Sequence, residues 1–293
     1  MIKDEFDIVV SYLEGTTTRI MSGCPHANTK LINWIHIEIH DKNVLLQSYR
    51  NYNELIRSYE SYDATIFVSK TAELAFDNCF PEINTSKKVI YNTVDYNKVI
   101  SASNERVSEI EIDADKINLV SVGRYAHQKG YSRLLLIMRN LVDKYINVHL
   151  YLIGEGELEN EYKQIIKEQN LEKHVTLLGF KNNPYKYVKK CDLFVCSSYT
   201  EGFSTAVTES LIVGTPVITT LCSGMEELLG YKNEYGIVTE NNDKALLEGI
   251  ENLIKDPSLL RKYREKAQKR SNLLCSDKNT NVVENLLDSI LES

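Results

Sequence analysis

From Ile117 onward the chain alternates short β-branched runs with longer stretches of helical period, and this alternation limits the fold more than any other feature. The runs are Ile117–Val122, Val148–Ile153, Val175–Leu178, Leu193–Cys196 and Pro216–Thr220. Between the first two, Leu134, Leu135, Met138, Leu141, Val142 and Tyr145 recur at helical spacing. Strand-length apolar runs separated by amphipathic helices predict a parallel sheet wound by helices on both faces.

The preceding segment repeats this style less fully. Ile8–Val10, Ile32–Ile37, Thr65–Val68 and Val89–Tyr91 read as strands with helical segments between them. Four strands make half of a doubly wound domain, which takes roughly 150 residues. The first domain therefore reads as incomplete at its beginning. The expected division is a first domain over 1–110 and a second over 111–274, joined by the polar, acidic stretch Ser101–Lys116. Val282, Val283, Leu286, Leu287, Ile290 and Leu291 form one apolar stripe on a last helix.

Composition excludes several classes. A net charge of −7 argues against a general nucleic-acid binder, which carries a basic stripe. Cys24, Cys79, Cys191, Cys196, Cys222 and Cys275 include no CxxC pair, and Cys191 and Cys196 bracket an apolar run as buried core thiols. That spread suggests a reducing cytoplasm rather than a disulfide scaffold or zinc site. The first residues are charged and lack the apolar run of a signal peptide. Nowhere are there the roughly 18 consecutive apolar residues of a membrane span.

In parallel α/β sheets, ligands bind beyond the carboxyl ends of the strands. After Val120-Ser121-Val122 comes Gly123-Arg124-Tyr125-Ala126-His127-Gln128-Lys129-Gly130, with a helix to follow. Two cations flank this loop and the helix N-terminus favours an anion, while Arg can fork onto phosphate oxygens. Alone, the segment reads equally as a solvated loop. Glu201-Gly202-Phe203-Ser204-Thr205 follows the fourth of these strands. Gly202 allows close backbone approach, and Ser204 and Thr205 can begin a helix. Glu209 stands within the apolar helix Ala206–Ile212, where a carboxylate needs a partner. Either two vicinal hydroxyls of a ribose or a core salt bridge to Arg or Lys would serve.

Weaker signals remain. Gly154-Glu155-Gly156 departs from the dinucleotide fingerprint, because Glu159 holds the last glycine position. Leu178-Gly179-Phe180 could line a nucleobase slot. His36 and His40 could share a face, but no third ligand follows at useful spacing, so a zinc site is not expected. Asp113-Ala114-Asp115 precedes a strand rather than following one and reads as a solvated acidic turn. The basic run Arg261–Arg270 reads as a solvated helix face, or as a contact for anionic lipid.

Taken in order, Gly-Arg-x4-Lys-Gly, the Gly-x-Gly loop, Leu-Gly-Phe and Glu-x7-Glu resemble the C-terminal domain of retaining glycosyltransferases of family four. The resemblance is strong from about Leu119 to Leu229. It extends more loosely back to Phe6 through Trp34-Ile35-His36 and Val89–Asp95. It implies the GT-B architecture, an α/β fold of two Rossmann-like doubly wound domains facing each other, with 275–293 crossing back onto the first. It further implies that Arg124 and Lys129 hold the donor diphosphate, next to Gly123, Gly154, Gly156 and Phe180. Glu201 would hold the transferred sugar, with Gly202 and Phe203 nearby. Ser204 and Thr205 would meet sugar or phosphate oxygens, Glu209 would bind the ribose, and His36 would lie near the reacting sugar. No metal or cofactor is implied. Family members begin with a strand and a glycine-rich turn, which this chain lacks.

The function so implied is transfer of a sugar from a nucleotide diphosphate donor, UDP before GDP, to a saccharide or lipid-linked acceptor in cell-surface polysaccharide synthesis. The expected place is the cytoplasm, peripheral at the inner face of the membrane. Two other readings stand beside it: a non-catalytic nucleotide-sugar-binding or partner subunit, and a sugar-nucleotide epimerase of similar architecture.

Overall fold

The computed structural model describes residues 4–144, 147–274 and 278–292, so Tyr145 and Cys275 lie outside the described residues. The chain forms two compact units. In the first, β1 (Ile8–Ser11), α1 (Thr16–Met21), β2 (Lys30–Ile35), α2 (Lys42–Leu46), α3 (Tyr52–Glu60), β3 (Ala64–Phe67), α4 (Lys70–Cys79) and β4 (Ser86–Val89) follow in order. The second holds α5 (Tyr96–Ser103), β5 (Ile117–Val122), α6 (Tyr131–Lys144), β6 (Val148–Ile153), α7 (Glu159–Glu168), β7 (Val175–Gly179), α8 (Tyr185–Val188), β8 (Leu193–Cys196), α9 (Thr205–Ile212), β9 (Val217–Thr220), α10 (Met225–Leu229), β10 (Ile237–Thr239), α11 (Asp243–Lys255) and α12 (Pro257–Leu274). The last helix, α13 (Lys278–Leu291), counts with the first unit, as do Glu201–Phe203.

The first sheet is parallel in the order β1-β2-β3-β4. Its inner strands are apolar and buried, whereas edge strand β4 alternates exposed and half-buried residues because Lys87 and Lys88 break its apolar run. Side chains from β2, β3 and the helices fill the core. Phe76 makes ring contacts with Tyr59 at 5.3 Å, Phe67 at 5.3 Å and Phe80 at 5.0 Å, adding specific geometry to their apolar burial. In α13 the apolar stripe narrows: Leu286 and Ile290 are buried, while Val282 and Leu291 are about half exposed.

The second sheet is parallel in the order β10-β9-β8-β5-β6-β7. Counted within the unit, this is the doubly wound order, with its reversal between β5 and β8. Pairing there covers only Leu119↔Leu193 and Val120↔Phe194, so β5 runs on to Val122 without β8 beside it. Beyond that point β5 leads into the loop that starts at Gly123. Helix α6 buries Leu134, Leu135, Met138 and Leu141 against β5 and β6; each such side chain contributes about 1.5–3 kcal/mol. Helix α5, which the sequence reading assigns to the first domain, is part of the second unit and contacts α8 and α9.

Candidate functional site

The loop after β5 is bound tightly to its neighbours. Tyr125 is buried, its hydroxyl donates to Leu152 O at 2.9 Å, and its amide donates to Glu155 O at 2.8 Å. Its ring meets Tyr131 and Tyr162 edge-on, at 5.9 and 5.4 Å. Fixing Tyr125 leaves the next-door Arg124 on the exposed side, where no hydrogen bond or ion pair among the described residues holds its guanidinium. The Lys129 side chain runs back alongside Gly123: a Cβ at Gly123 would lie 3.3 Å from Lys129 Cε.

The Gly-x-Gly loop after β6 packs backbone to backbone on this segment. A Cβ on Gly154 would stand 1.9 Å from Gly123 O, and one on Gly156 would stand 2.4 Å from Tyr125 O. Both glycines are therefore needed for close approach, and through them Gly123, Arg124, Gly154 and Gly156 form one surface.

That surface walls a pocket of about 380 Å³ at the carboxyl ends of β5, β6 and β7, lined by Gly123, Arg124, Gly154, Glu155, Phe180 and Lys181 among others. The volume is that of a small-ligand site. Its walls are mainly apolar, with Arg124 and Lys181 as cations. Phe180 is 61 % exposed, a large apolar ring left open to solvent at the edge of the pocket.

After β8 the chain runs through buried Ser197 and Ser198 to Glu201, also buried. Ser204 caps α9 by accepting the Val207 amide at 3.4 Å, and exposed Thr205 opens the helix. One turn on, half-buried Glu209 accepts a hydrogen bond from the Tyr185 hydroxyl at 3.0 Å. Burial pushes the Glu209 carboxyl up, and the Tyr185 bond partly offsets this. The Tyr185 hydroxyl is pushed up to about 12 by burial and by Glu209. Among the described residues neither Arg nor Lys pairs with Glu209, so the core salt bridge is not found there. Tyr185 follows Pro184 of the pocket wall; it escaped sequence reasoning because a tyrosine in a Lys/Tyr-rich stretch carries no motif.

In the first unit His36 directly follows β2, two residues short of the strand end expected from its apolar run. Its amide donates to Glu14 Oε2 at 3.0 Å and its ring lies 4.7 Å from that of Tyr12. Burial lowers its imidazole, against the opposing pull of Glu14. A Cβ on Gly202 would fall 1.8 Å from His36 O, so only glycine fits there. Phe203 packs on Tyr91 at 5.0 Å, and its carbonyl accepts from Asn92 at 3.2 Å.

The remaining candidates are structural. Asp113 and Asp115 lie exposed in a turn closed by the Asp115 amide on Asp113 Oδ1. His40 is exposed beside Glu38, and among the described residues no group of three or more His, Cys, Asp or Glu could hold a metal ion. Cys79, Cys191, Cys196 and Cys222 are buried thiols. On α12, Arg264 and Arg270 reach the backbone carbonyls of Cys191 and Glu227, while Arg261, Lys262 and Lys269 are exposed. Among the described residues no helix is long and apolar enough to cross a membrane.

Residues 103–270, more than half of the chain, match the model of the family described as glycosyl transferases group 1. The chain is 37 % identical over 186 residues to a Campylobacter jejuni enzyme, N-acetylgalactosamine-N,N'-diacetylbacillosaminyl-diphospho-undecaprenol 4-alpha-N-acetylgalactosaminyltransferase, covering 63 % of this chain and 48 % of that one. It is 29 % identical over 253 residues to an uncharacterized glycosyltransferase of Methanocaldococcus jannaschii, covering 75 % and 61 %. The chain thus spans between about half and two thirds of the length of these relatives. Among solved structures it is similar in fold to S. aureus TarM in complex with UDP, at a TM-score of 0.74 and 20 % identity over 93 % of this chain and 53 % of that one. Anabaena HepE in complex with UDP gives a TM-score of 0.73 and 20 % identity, over 96 % and 78 %.

Proposed function

From a chain that belongs to the group 1 glycosyltransferases, we propose a retaining transfer of a sugar from a nucleotide diphosphate donor to a saccharide or lipid-linked acceptor, in cell-surface polysaccharide synthesis. The observation that carries this reading is the pocket at the ends of β5, β6 and β7, with the Arg124 guanidinium in its wall. An exposed cation beside an apolar slot suits a ligand with a flat base at one end and phosphates at the other.

Each residue takes a role in this reading. Arg124 and Lys129 bind the diphosphate and stabilise the charge that grows on it as the bond to the anomeric carbon breaks. The acceptor hydroxyl oxygen forms the new bond to that carbon on the same face, and its proton passes to the departing diphosphate. Two cations in place of a divalent ion make the reaction metal-independent. Glu209 accepts from the ribose hydroxyls, Glu201 with Gly202 and Phe203 holds the sugar, and Ser204 and Thr205 meet its oxygens or the phosphates. His36 lies near the reacting carbon.

UDP is the first nucleotide to try, and the lipid-linked substrate in the name of the Campylobacter relative supports an acceptor at the inner membrane surface. The test is calorimetric titration with UDP, GDP and their glucose and N-acetylglucosamine conjugates, with and without EDTA. Binding of one nucleotide series, unchanged by EDTA, is the expected result. A folded chain that binds none of them sinks the donor-site reading.

A further inference from the structure

Arg133 stands in the first turn of α6, three residues beyond Gly130, yet only 3 % of it is exposed. The Asp243 carboxylate lies 3.8 Å from its guanidinium and is itself largely exposed. The close partners are neutral. Nε donates to Ser197 O at 2.7 Å, Nη2 to Ser198 O at 2.6 Å, and both Nη atoms to Asn241 Oδ1 at 2.9 Å. The guanidinium also lies 4.1 Å from the centre of the Tyr199 ring, which stacks on His127 at 5.0 Å. A buried cation held mainly by carbonyls is costly to fold around. The planar fork offers something that an apolar side chain cannot: it fixes the direction of two backbone carbonyls at once.

The carbonyls it fixes belong to the loop after β8, and that loop in turn grips the loop after β5. The Tyr199 amide donates to Gln128 O at 2.8 Å, Ser197 Oγ donates to Lys129 O at 2.9 Å, and Gln128 Nε2 donates to Thr200 O at 3.0 Å. Gly130 belongs to the same knot, because a Cβ there would lie 2.1 Å from Ser197 O and 2.9 Å from Arg133 Nε. The glycine of the Lys129-Gly130 pair thus makes room for Arg133 and its acceptor.

We propose that Arg133 is a positioning residue that locks the loop running into Glu201 onto the loop carrying Arg124 and Lys129, so that the two hold the donor as one unit. The inference rests on the donor-site reading above. It predicts that loosening Arg133 frees both loops together, not the nearer one alone.

The test compares the wild-type chain with Arg133→Lys, Arg133→Met and, as a control on the exposed face of α6, Asn140→Ala. Hydrogen exchange of the ligand-free proteins reads the peptides covering 123–130 and 197–200, with β6 as an internal standard for an intact fold. The expected result is faster exchange in both loops for the Lys and Met variants, unchanged β6, and a silent control. Arg133→Lys, which keeps the charge and loses the fork, carries the test if Arg133→Met does not fold. Titration with UDP gives the second readout: about tenfold or greater weakening in Arg133→Lys, measured well below its melting temperature. Wild-type protection in both loops, loosening of one loop alone, or loosened loops with unchanged UDP affinity would each overturn the proposal. A wild-type chain that binds no nucleotide, while both loops still loosen together in the variants, removes the donor-site reading and leaves the locking role supported.

Discussion

The Tyr185 hydroxyl donates to Glu209 Oε1 at 3.0 Å, joining the short helix after the pocket wall to the middle of α9. Glu209 must be ionised for both of its oxygens to accept from the ribose hydroxyls, and burial pushes its carboxyl up. Nucleotide affinity is therefore expected to fall on acidification at a pH above the usual carboxylate range. In Tyr185→Phe the offsetting hydrogen bond is gone, and the midpoint moves higher still. Calorimetry at a series of pH values reads both midpoints; an unmoved midpoint in Tyr185→Phe rejects the coupling. A raised folded-state value also means that ionised Glu209 costs stability as pH rises through it. Glu209→Gln is expected to keep its melting temperature at neutral pH while weakening nucleotide binding about tenfold or more.

Arg124 is exposed and makes no side-chain hydrogen bond among the described residues, so its loss is expected to leave folding untouched. Arg124→Ala should weaken UDP binding by about 1.5–3 kcal/mol, the usual worth of hydrogen bonds to a charged group, and leave uridine binding unchanged. Equal losses for UDP and uridine would place Arg124 at the base rather than at the phosphates.

Gly154→Ala puts a methyl group 1.9 Å from Gly123 O, backbone against backbone, with no side chain free to yield. A destabilisation of about 2–3 kcal/mol is expected, read as a lower urea midpoint, along with loss of nucleotide binding. A variant of wild-type stability would show that the two loops can part without cost.

His149 lies on β6, far along the strand from the pocket end. Its Nε2 pairs with Thr176 Oγ1 at 2.8 Å. Burial first, then Lys116, hold its imidazole down to about 4. The unfolded chain binds this proton more readily, so His149 favours the folded state at neutral pH. That contribution fades as pH falls from about 6.5 towards about 4. His149→Gln should flatten the loss of stability over that window, as followed by urea midpoints at each pH.

Much of this architecture is legible in the chain. Parallel strands buried on both faces must be apolar throughout, and β5, β6, β8 and β9 announce themselves that way. Edges are harder to read. Strand β4 lies at 86–89 rather than 89–91 because exposed Ser86 and Lys88 and half-buried Lys87 leave it without an apolar run, and the three-residue β10, half-buried throughout, gives too short a signal to find. The candidate site divides along similar lines. Glycines and cations at strand ends stand out as residues that need a reason. Arg133 does not, because a buried arginine on an amphipathic helix looks like any solvated cation until its acceptors, some 64 positions away, are in view. The Tyr185–Glu209 bond is hidden for the same reason.

The reversal between β5 and β8 has a consequence for how the protein is made. The Gly123–Gly154 contact closes a segment of some thirty residues, but Arg133 must wait for Ser197, 64 residues later, and longer closures cost more entropy before any contact repays it. On the ribosome, the half built on β5, β6 and β7 can assemble first, with its glycine loops already in contact. The lining of the pocket lies wholly on that half, whereas the loop running into Glu201 arrives only with β8. A nascent or truncated chain that stops before Leu193 would therefore carry Arg124 and Lys129 without the Glu201 loop.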